Sequence, residues 1–340
     1  MEKRRSWVTG ILAAAAMAAM ILDTKTAMHG AGDGVELCIK TVIPSLFPFF
    51  IVSALLTESL AGTKNRFLGI LGKWCGIPAG AESILVVGLL GGYPVGAQCV
   101  CQAYAAGRLE RSDARRMLGF CSNAGPAFLF GMVGSMFQSR YAPFVLWGIH
   151  ILSALLVGFL LPAKQKSVAV ISSGKRISTG QAMQESVRIM ASVCGWVVLF
   201  RVIITFLDRW FLWLLDKEWL VLLSGIMELA NGCLNLNMMD GEGMRLILAS
   251  VFLGFGGICV AMQTVSVTAP AGLGTGFYFP GKILQAVIGL LLACPAALLL
   301  YPETVVDIRF VAIPVITGMT VLFLLKNGKI NSSIPAVSGV

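Results

Sequence analysis

Apolar runs near twenty residues long recur from one end of this 340-residue chain to the other. A helix of that length crosses a hydrocarbon core of roughly 30 Å. The runs cover 7–22 and then, approximately, 42–60, 84–106, 117–139, 143–162, 188–207, 219–236, 246–264, 283–300 and 308–325. Charged residues make up only 13% of the chain, about half of the roughly 25% usual in a soluble domain. Because the runs are continuous rather than alternating, they do not read as the segments of about ten residues that build an outer-membrane barrel. The expected fold class is an all-α polytopic membrane protein.

Two runs are unsuited to simple crossing. The run 84–106 carries Gly91-Gly92-Tyr93-Pro94-Val95-Gly96 at its centre, a turn composition that breaks a helix. The run 219–236 holds Glu228, Asn231 and Gly232 in its interior. Both read as re-entrant hairpins of the kind found in transporters with broken helices. Charge distribution tests this. If every run crosses, Lys and Arg divide 12 inside to 13 outside; if the two suspect runs re-enter, they divide 18 to 7, with Arg201 left within a span. Only the second arrangement, which counts Lys282 as cytoplasmic, follows the positive-inside rule. It predicts about eight transmembrane helices plus two re-entrant hairpins in an inverted repeat, with both termini cytoplasmic. Leu118-Gly119-Phe120 recurring as Leu253-Gly254-Phe255 adds modest support.

The expected organisation is an N-terminal transmembrane helix and connecting loop at 1–41 and a first repeat at 42–162 with its hairpin at 84–106. A basic cytoplasmic linker at 163–187, a second repeat at 188–325 with its hairpin at 219–243, and a cytoplasmic tail at 326–340 follow. Met1-Glu2-Lys3-Arg4-Arg5 before the first run could open a signal peptide, but Asp23, Thr24 and Lys25 follow it without a small-residue cleavage site, so it reads as an uncleaved helix. Segments 61–80 and 208–218, rich in Trp and basic residues, read as interfacial helices.

Other classes are disfavoured. The nine Cys are scattered with no CxxC pair, and the two His, His29 and His150, are far apart, so no zinc site is assembled. The net charge of +9 falls between apolar runs, where membrane orientation explains it without nucleic acid. No phosphate-cradling lysine loop is present. No nucleophile with a base is in view, because no His lies near the polar patches, so an enzyme is not expected.

Those patches are the candidate site. Hairpin arms of about ten residues reach the bilayer midplane, where unwound backbone survives only against protein or a watery cavity. The first tip offers Gly91, Gly92, Tyr93, Pro94 and Gly96. Next comes Cys121-Ser122-Asn123-Ala124-Gly125-Pro126, where Pro126 frees a backbone carbonyl near Ser122. In the second half Glu228 is the one acid well inside an apolar run, with Asn231 on the same helical face. Gly256-Gly257 and Gln263 mirror the first broken helix. Arg201, six residues from the end of its run, is expected to snorkel outward.

Through Gly92-Tyr93-Pro94-Val95-Gly96-Ala97, then Phe120-Cys121-Ser122-Asn123-Ala124-Gly125-Pro126-Ala127-Phe128, then Phe255-Gly256-Gly257 with Gln263, the sequence resembles the sporulation integral membrane proteins of the YlbJ or SpoVV type. That group carries nucleoside-recognition gate domains and is similar in layout to concentrative nucleoside transporters. The resemblance covers about residues 40–325. It implies a multi-pass protein of endospore-forming bacteria that moves a small polar or anionic solute, with dipicolinic acid crossing the outer forespore membrane as the substrate of SpoVV-type members. Gln98 stands where relatives often carry Lys, and Ser122 where they often carry a second Asn; both join the candidate substrate-binding set. A non-transporting gate or scaffold subunit and a carrier of nucleoside-like solutes are the alternatives. No cofactor is expected, and coupling to H+ or Na+ is left open. The expected partners are the substrate and the bilayer, with self-association or other sporulation membrane proteins also open.

Overall fold

The computed structural model describes residues 2–60, 66–163, 178–211, 214–306 and 308–327. Among them every regular element is helical. Five stretches are long and apolar enough to cross a membrane: Thr24–Val52, Ala142–Leu160, Thr179–Trp210, Glu242–Thr268 and Tyr278–Leu300. The fourth is the most enclosed, 78% buried against 17–44% for the others, so it forms the axis of the bundle.

The chain begins with α1 (Glu2–Leu22) and α2 (Thr24–Leu37), which runs through a π turn (Cys38–Val42) into α3 (Ile43–Leu60). The connecting loop expected up to residue 41 is therefore helix. Asp23 starts it, accepting the Thr26 amide at 3.2 Å and the Thr26 hydroxyl at 2.8 Å, a strong N-cap. Small residues hold α2 against α10: a Cβ on Gly30 would lie 2.8 Å from Thr205 Oγ1, and one on Gly34 2.9 Å from Val198 Cα. This is the close backbone approach by which helices associate in lipid.

Short α4 (Arg66–Trp74) precedes the pair α5 (Glu82–Leu90) and α6 (Val95–Ala105), then α7 (Arg111–Met117). After a non-helical stretch, α8 (Pro126–Phe128) continues through a π turn (Leu129–Val133) and a 3-10 turn (Gly134–Met136), and α9 (Ala142–Leu160) closes the first half. The second half opens with α10 (Thr179–Trp210), started by a capping box between Ser178 and Gln181. Next come α11 (Lys217–Met227), α12 (Leu229–Asn235), α13 (Glu242–Phe255), α14 (Gly257–Thr268) and α15 (Tyr278–Leu300), with α16 (Ile308–Lys326) last.

Five helix starts recur at a near-constant offset of 131 to 136 residues: Glu82 and Lys217, Val95 and Leu229, Arg111 and Glu242, Pro126 and Gly257, Ala142 and Tyr278. Each half thus contains a pair of short helices, a helix that breaks, and a long helix.

Two further boundaries differ from the sequence expectation. Residues 179–187, read as linker, belong to α10, because the capping box sets its start at Ser178; 164–177 lie outside the described residues. Residues 208–210 end α10 instead of opening an interfacial helix, and 61–65 and 212–213 lie outside the description, as does the tail from 328. The buried Arg116 makes a polar closure at this end of the first half. It donates to the carbonyls of Gly76 and Leu161 at 3.1 Å each and to those of Cys75 and Gly158, fastening the turn after α4 to the end of α9.

Candidate binding site at the helix breaks

The first break is shaped by glycine. A Cβ on Gly88 would sit 1.7 Å from the Cys121 carbonyl oxygen, and one on Gly96 1.8 Å from it, so α5 and α6 close directly on the backbone that follows α7. Gly91 ends α5 with its amide on the Val87 carbonyl at 2.7 Å. Gly92, at φ +80°, lies against Gly125, a conformation and an approach that only glycine makes without strain. Pro94 is the N-cap of α6 and Pro126 the first residue of α8, where proline's missing N–H costs nothing.

The Ser122 carbonyl is free because 122–125 are not helical, rather than because Pro126 interrupts a helix, and it accepts from Lys282. This lysine, on α15, is fully buried (0% exposed). Its Nζ donates to the Ser122 carbonyl, to Gln285 Oε1 at 2.7 Å, and more distantly to Tyr93 Oη at 3.4 Å and Asn123 Oδ1 at 3.5 Å. It also lies 5.1 Å from the centre of the Tyr93 ring, within cation–π range. Gln285 Nε2 donates to Asn123 Oδ1 at 2.9 Å, and Asn123 Nδ2 to the Phe120 carbonyl at 2.8 Å. Among the described residues no carboxylate pairs with Lys282. All its partners are neutral.

The second break repeats the plan with different chemistry. Glu228 separates α11 from α12 and caps α12: its carboxylate accepts the Ala230 amide at 3.0 Å, the Asn231 amide at 2.7 Å and Asn231 Nδ2 at 2.9 Å. Gly256, at φ +82°, breaks α13 from α14. A Cβ on Gly257 would meet the Leu229 nitrogen at 3.2 Å and the Gly225 and Met227 carbonyls at 3.3 and 3.4 Å, so this short pair also packs on its own break.

The two halves meet between the breaks. Tyr93 reaches across to the Leu253 carbonyl at 3.1 Å and covers Gly256, where a Cβ would be 3.1 Å from its ring. Beside it lies a cavity of about 50 Å³, lined by Tyr93, Ala124 and Gly125 from the first half and by Glu228, Leu229, Ala230 and Gln263 from the second. Gln263 is held by Cys259 Sγ at 3.5 Å. Lys282 is one layer behind this wall, against Tyr93. An apolar cavity of about 150 Å³ accepts benzene; this one would have to widen for a ring-sized solute.

Most of the candidate set thus converges on one region. Gln98 does not: its amide donates to the Glu185 carboxylate on α10, directed away from the breaks. Arg201 does not snorkel outward but turns inward, giving Nη1 to Asn231 Oδ1 at 2.7 Å and Nη2 to Asp33 Oδ2 at 2.9 Å; the acid that draws it in comes from α2, in the segment expected to be a connecting loop. Lys282, counted as a cytoplasmic charge because it borders an apolar run, is in the interior. His150 also lies at the site, accepting the Ala124 amide at Nε2, 3.1 Å away. Signals for both were present: Lys282 and Gln285 share a helical face, and His150 is an ionisable residue inside an apolar run.

A chain whose described residues form only helices, five stretches of them membrane-length and apolar, with short helices meeting end to end at buried polar groups, has the make-up of an integral membrane protein. The chain is 23% identical over 318 residues, covering 79% of its own length and 77% of the relative's, to the sporulation integral membrane protein YlbJ of Bacillus subtilis (strain 168). The resemblance carried by the motif residues therefore extends along most of the chain. No protein-family model matches it, and no solved structure does.

Proposed function

We propose that this protein is a secondary transporter of a small anionic or polar solute in sporulation, with dipicolinic acid as the favoured substrate. The single observation that carries the reading is the fully buried Lys282 Nζ at the meeting of two broken helices, with no carboxylate partner among the described residues. A charge in a membrane interior is costly and is retained mostly where it serves a solute or ion path. A planar dicarboxylate would take its counter-charge from Lys282, with Tyr93 as the movable wall, and polar atoms of Asn123, Gln263 and Asn231 around it. Glu228 faces the same cavity, so entry of an anion calls for its protonation or for a coupling cation beside it.

In this reading α5–α6 and α11–α12 enter the membrane halfway from opposite sides, eight helices cross, and both termini are cytoplasmic. The recurring helix starts support the repeat, and the relative's sporulation role supports the setting. The two halves would rock about the breaks to alternate access. A scaffold without transport would be favoured by a midplane sealed by Glu228 and Asn123 bonded to each other; instead Glu228 bonds Ala230 and Asn231, and Asn123 bonds the Phe120 carbonyl and, on α15, Gln285.

The test is uptake of labelled dipicolinate into proteoliposomes, comparing wild type with Asn123→Ala, Lys282→Met and Glu228→Gln. Saturable uptake in wild type that each change weakens, with folding intact, supports the proposal. Absence of uptake under proton and sodium gradients, repeated with nucleosides and other carboxylates, would leave the scaffold.

A further inference from the structure

We propose that a second cavity, at the end of the bundle where α7 begins, α9 ends and α15 begins, binds an oxyanion group, a carboxylate or a phosphate. It encloses about 310 Å³ and is bounded by Arg111, Ser112, Arg115 and Arg116, with Pro162 following α9 and Phe277 preceding α15. Ligand cavities start at about this size, roughly 300 Å³.

Three guanidiniums border the cavity and one carboxylate, Asp113, joins them. Asp113 is buried and acts electrostatically on Arg116, while Arg116 is occupied by its four carbonyls. Three guanidiniums against one carboxylate leave two positive charges in excess. Arg111 uses one donor on the Gly272 carbonyl at 3.0 Å of the five a guanidinium has. Arg115 has a buried Nε without a partner among the described residues, and its Nη2 lies where a side chain on Gly276 would be, 2.4 Å from the site of a Cβ. A buried donor on a charged group is costly to leave unpaired. A bidentate oxyanion is the partner that fits a guanidinium fork.

The position gives the site a use. Phe277 precedes Lys282 by five residues, about 7.5 Å of helix rise, so the arginines and the buried lysine mark successive depths along α15. The oxyanion could arrive free in water or on an anionic phospholipid, since basic pockets between helices hold phospholipid headgroups. The inference stands apart from transport: binding here is measurable whether or not solute is carried.

The full-length protein in detergent tests it in two arms. Isothermal titration with dipicolinate and inorganic phosphate reads the free anion; native mass spectrometry after incubation with phosphatidylglycerol and cardiolipin reads retained lipid. Wild type is compared with Arg111→Gln/Arg115→Gln, with Arg115→Lys, which keeps the charge and loses the fork, and with Arg140→Gln, whose guanidinium lies instead over Tyr141. Thermal melting confirms folding, and Arg116 is left intact. Binding in either arm, weakened about tenfold or more in the double variant, less in Arg115→Lys and not in Arg140→Gln, is the expected result for two lost charge-assisted contacts. The responding arm names the source. Wild type that binds neither class, or a double variant that binds as well as wild type, overturns the proposal.

Discussion

The hydroxyl of Tyr93, in the turn between α5 and α6, donates to the Leu253 carbonyl near the end of α13 at 3.1 Å, tying the first tip to the second break. The same ring covers Gly256 and underlies Lys282. Tyr93→Phe keeps the ring and removes the hydroxyl, leaving a buried carbonyl without its donor, so a stability loss of about 1–2 kcal/mol is expected. Thermal melting in detergent checks it, and solute uptake should fall further than the melting shift accounts for. A variant that melts and transports like wild type would remove Tyr93 as the tie.

Lys282 distinguishes a charged role from a packing one. Lys282→Ala opens a cavity and strips the Ser122 carbonyl and Gln285 of their donor, which should cost several kcal/mol, in the range of about 3–5 for removing a buried charged partner. Lys282→Met keeps the length and should cost less, because isosteric apolar replacements of buried ions are often tolerated. Both should abolish uptake. Retained uptake in Lys282→Met would rule out the ammonium as the counter-charge.

Glycine positions make opposite predictions within one chain. In Gly88→Ala the new methyl would overlap the Cys121 carbonyl at 1.7 Å, and the destabilisation should reach the upper end of about 1–3 kcal/mol or exceed it. At the exposed Gly195, in α10, nothing lies within 4 Å of a Cβ. Gly195→Ala should raise stability by about 0.5–1 kcal/mol. Paired melting curves decide both.

Glu228 holds three hydrogen bonds at the start of α12. Its replacement by Ala removes an N-cap, worth about 0.5–2 kcal/mol, and releases Asn231 from one side while Arg201 still holds the other. Increased amide hydrogen exchange confined to 229–235 is the expected signature. Unchanged protection there would mean that the carboxylate is not what starts α12.

The re-entrant arrangement is checked by labelling. Glu110 is exposed in the turn before α7, and a maleimide that does not cross membranes should fail to reach Glu110→Cys from outside intact cells and react after the membrane is opened. Labelling from outside would place α5 and α6 as full crossings.

Sequence alone was sufficient for the class, the two short-helix pairs and the two breaks. Long apolar runs, and Gly, Pro and Asn inside them, act on the backbone locally, so 91–96, 121–126, 228 and 256–257 could be located without knowing what packs on them. The break at Pro126 was legible for the same reason, although the Ser122 carbonyl is free because 122–125 are not helical. What fills that vacancy was not: Lys282 comes from 160 residues away, and bordering an apolar run is the ordinary mark of a surface charge. Arg201 failed in the same way, since Asp33, which draws it inward, depends on α2 packing along α10. Gln98 carried the right position in the chain and the wrong direction, because which side of α6 faces the breaks is decided by Gly96 pressing on Cys121. Partners separated by more than a hundred residues are chosen by how the helices pack, and only the tertiary structure settles that packing.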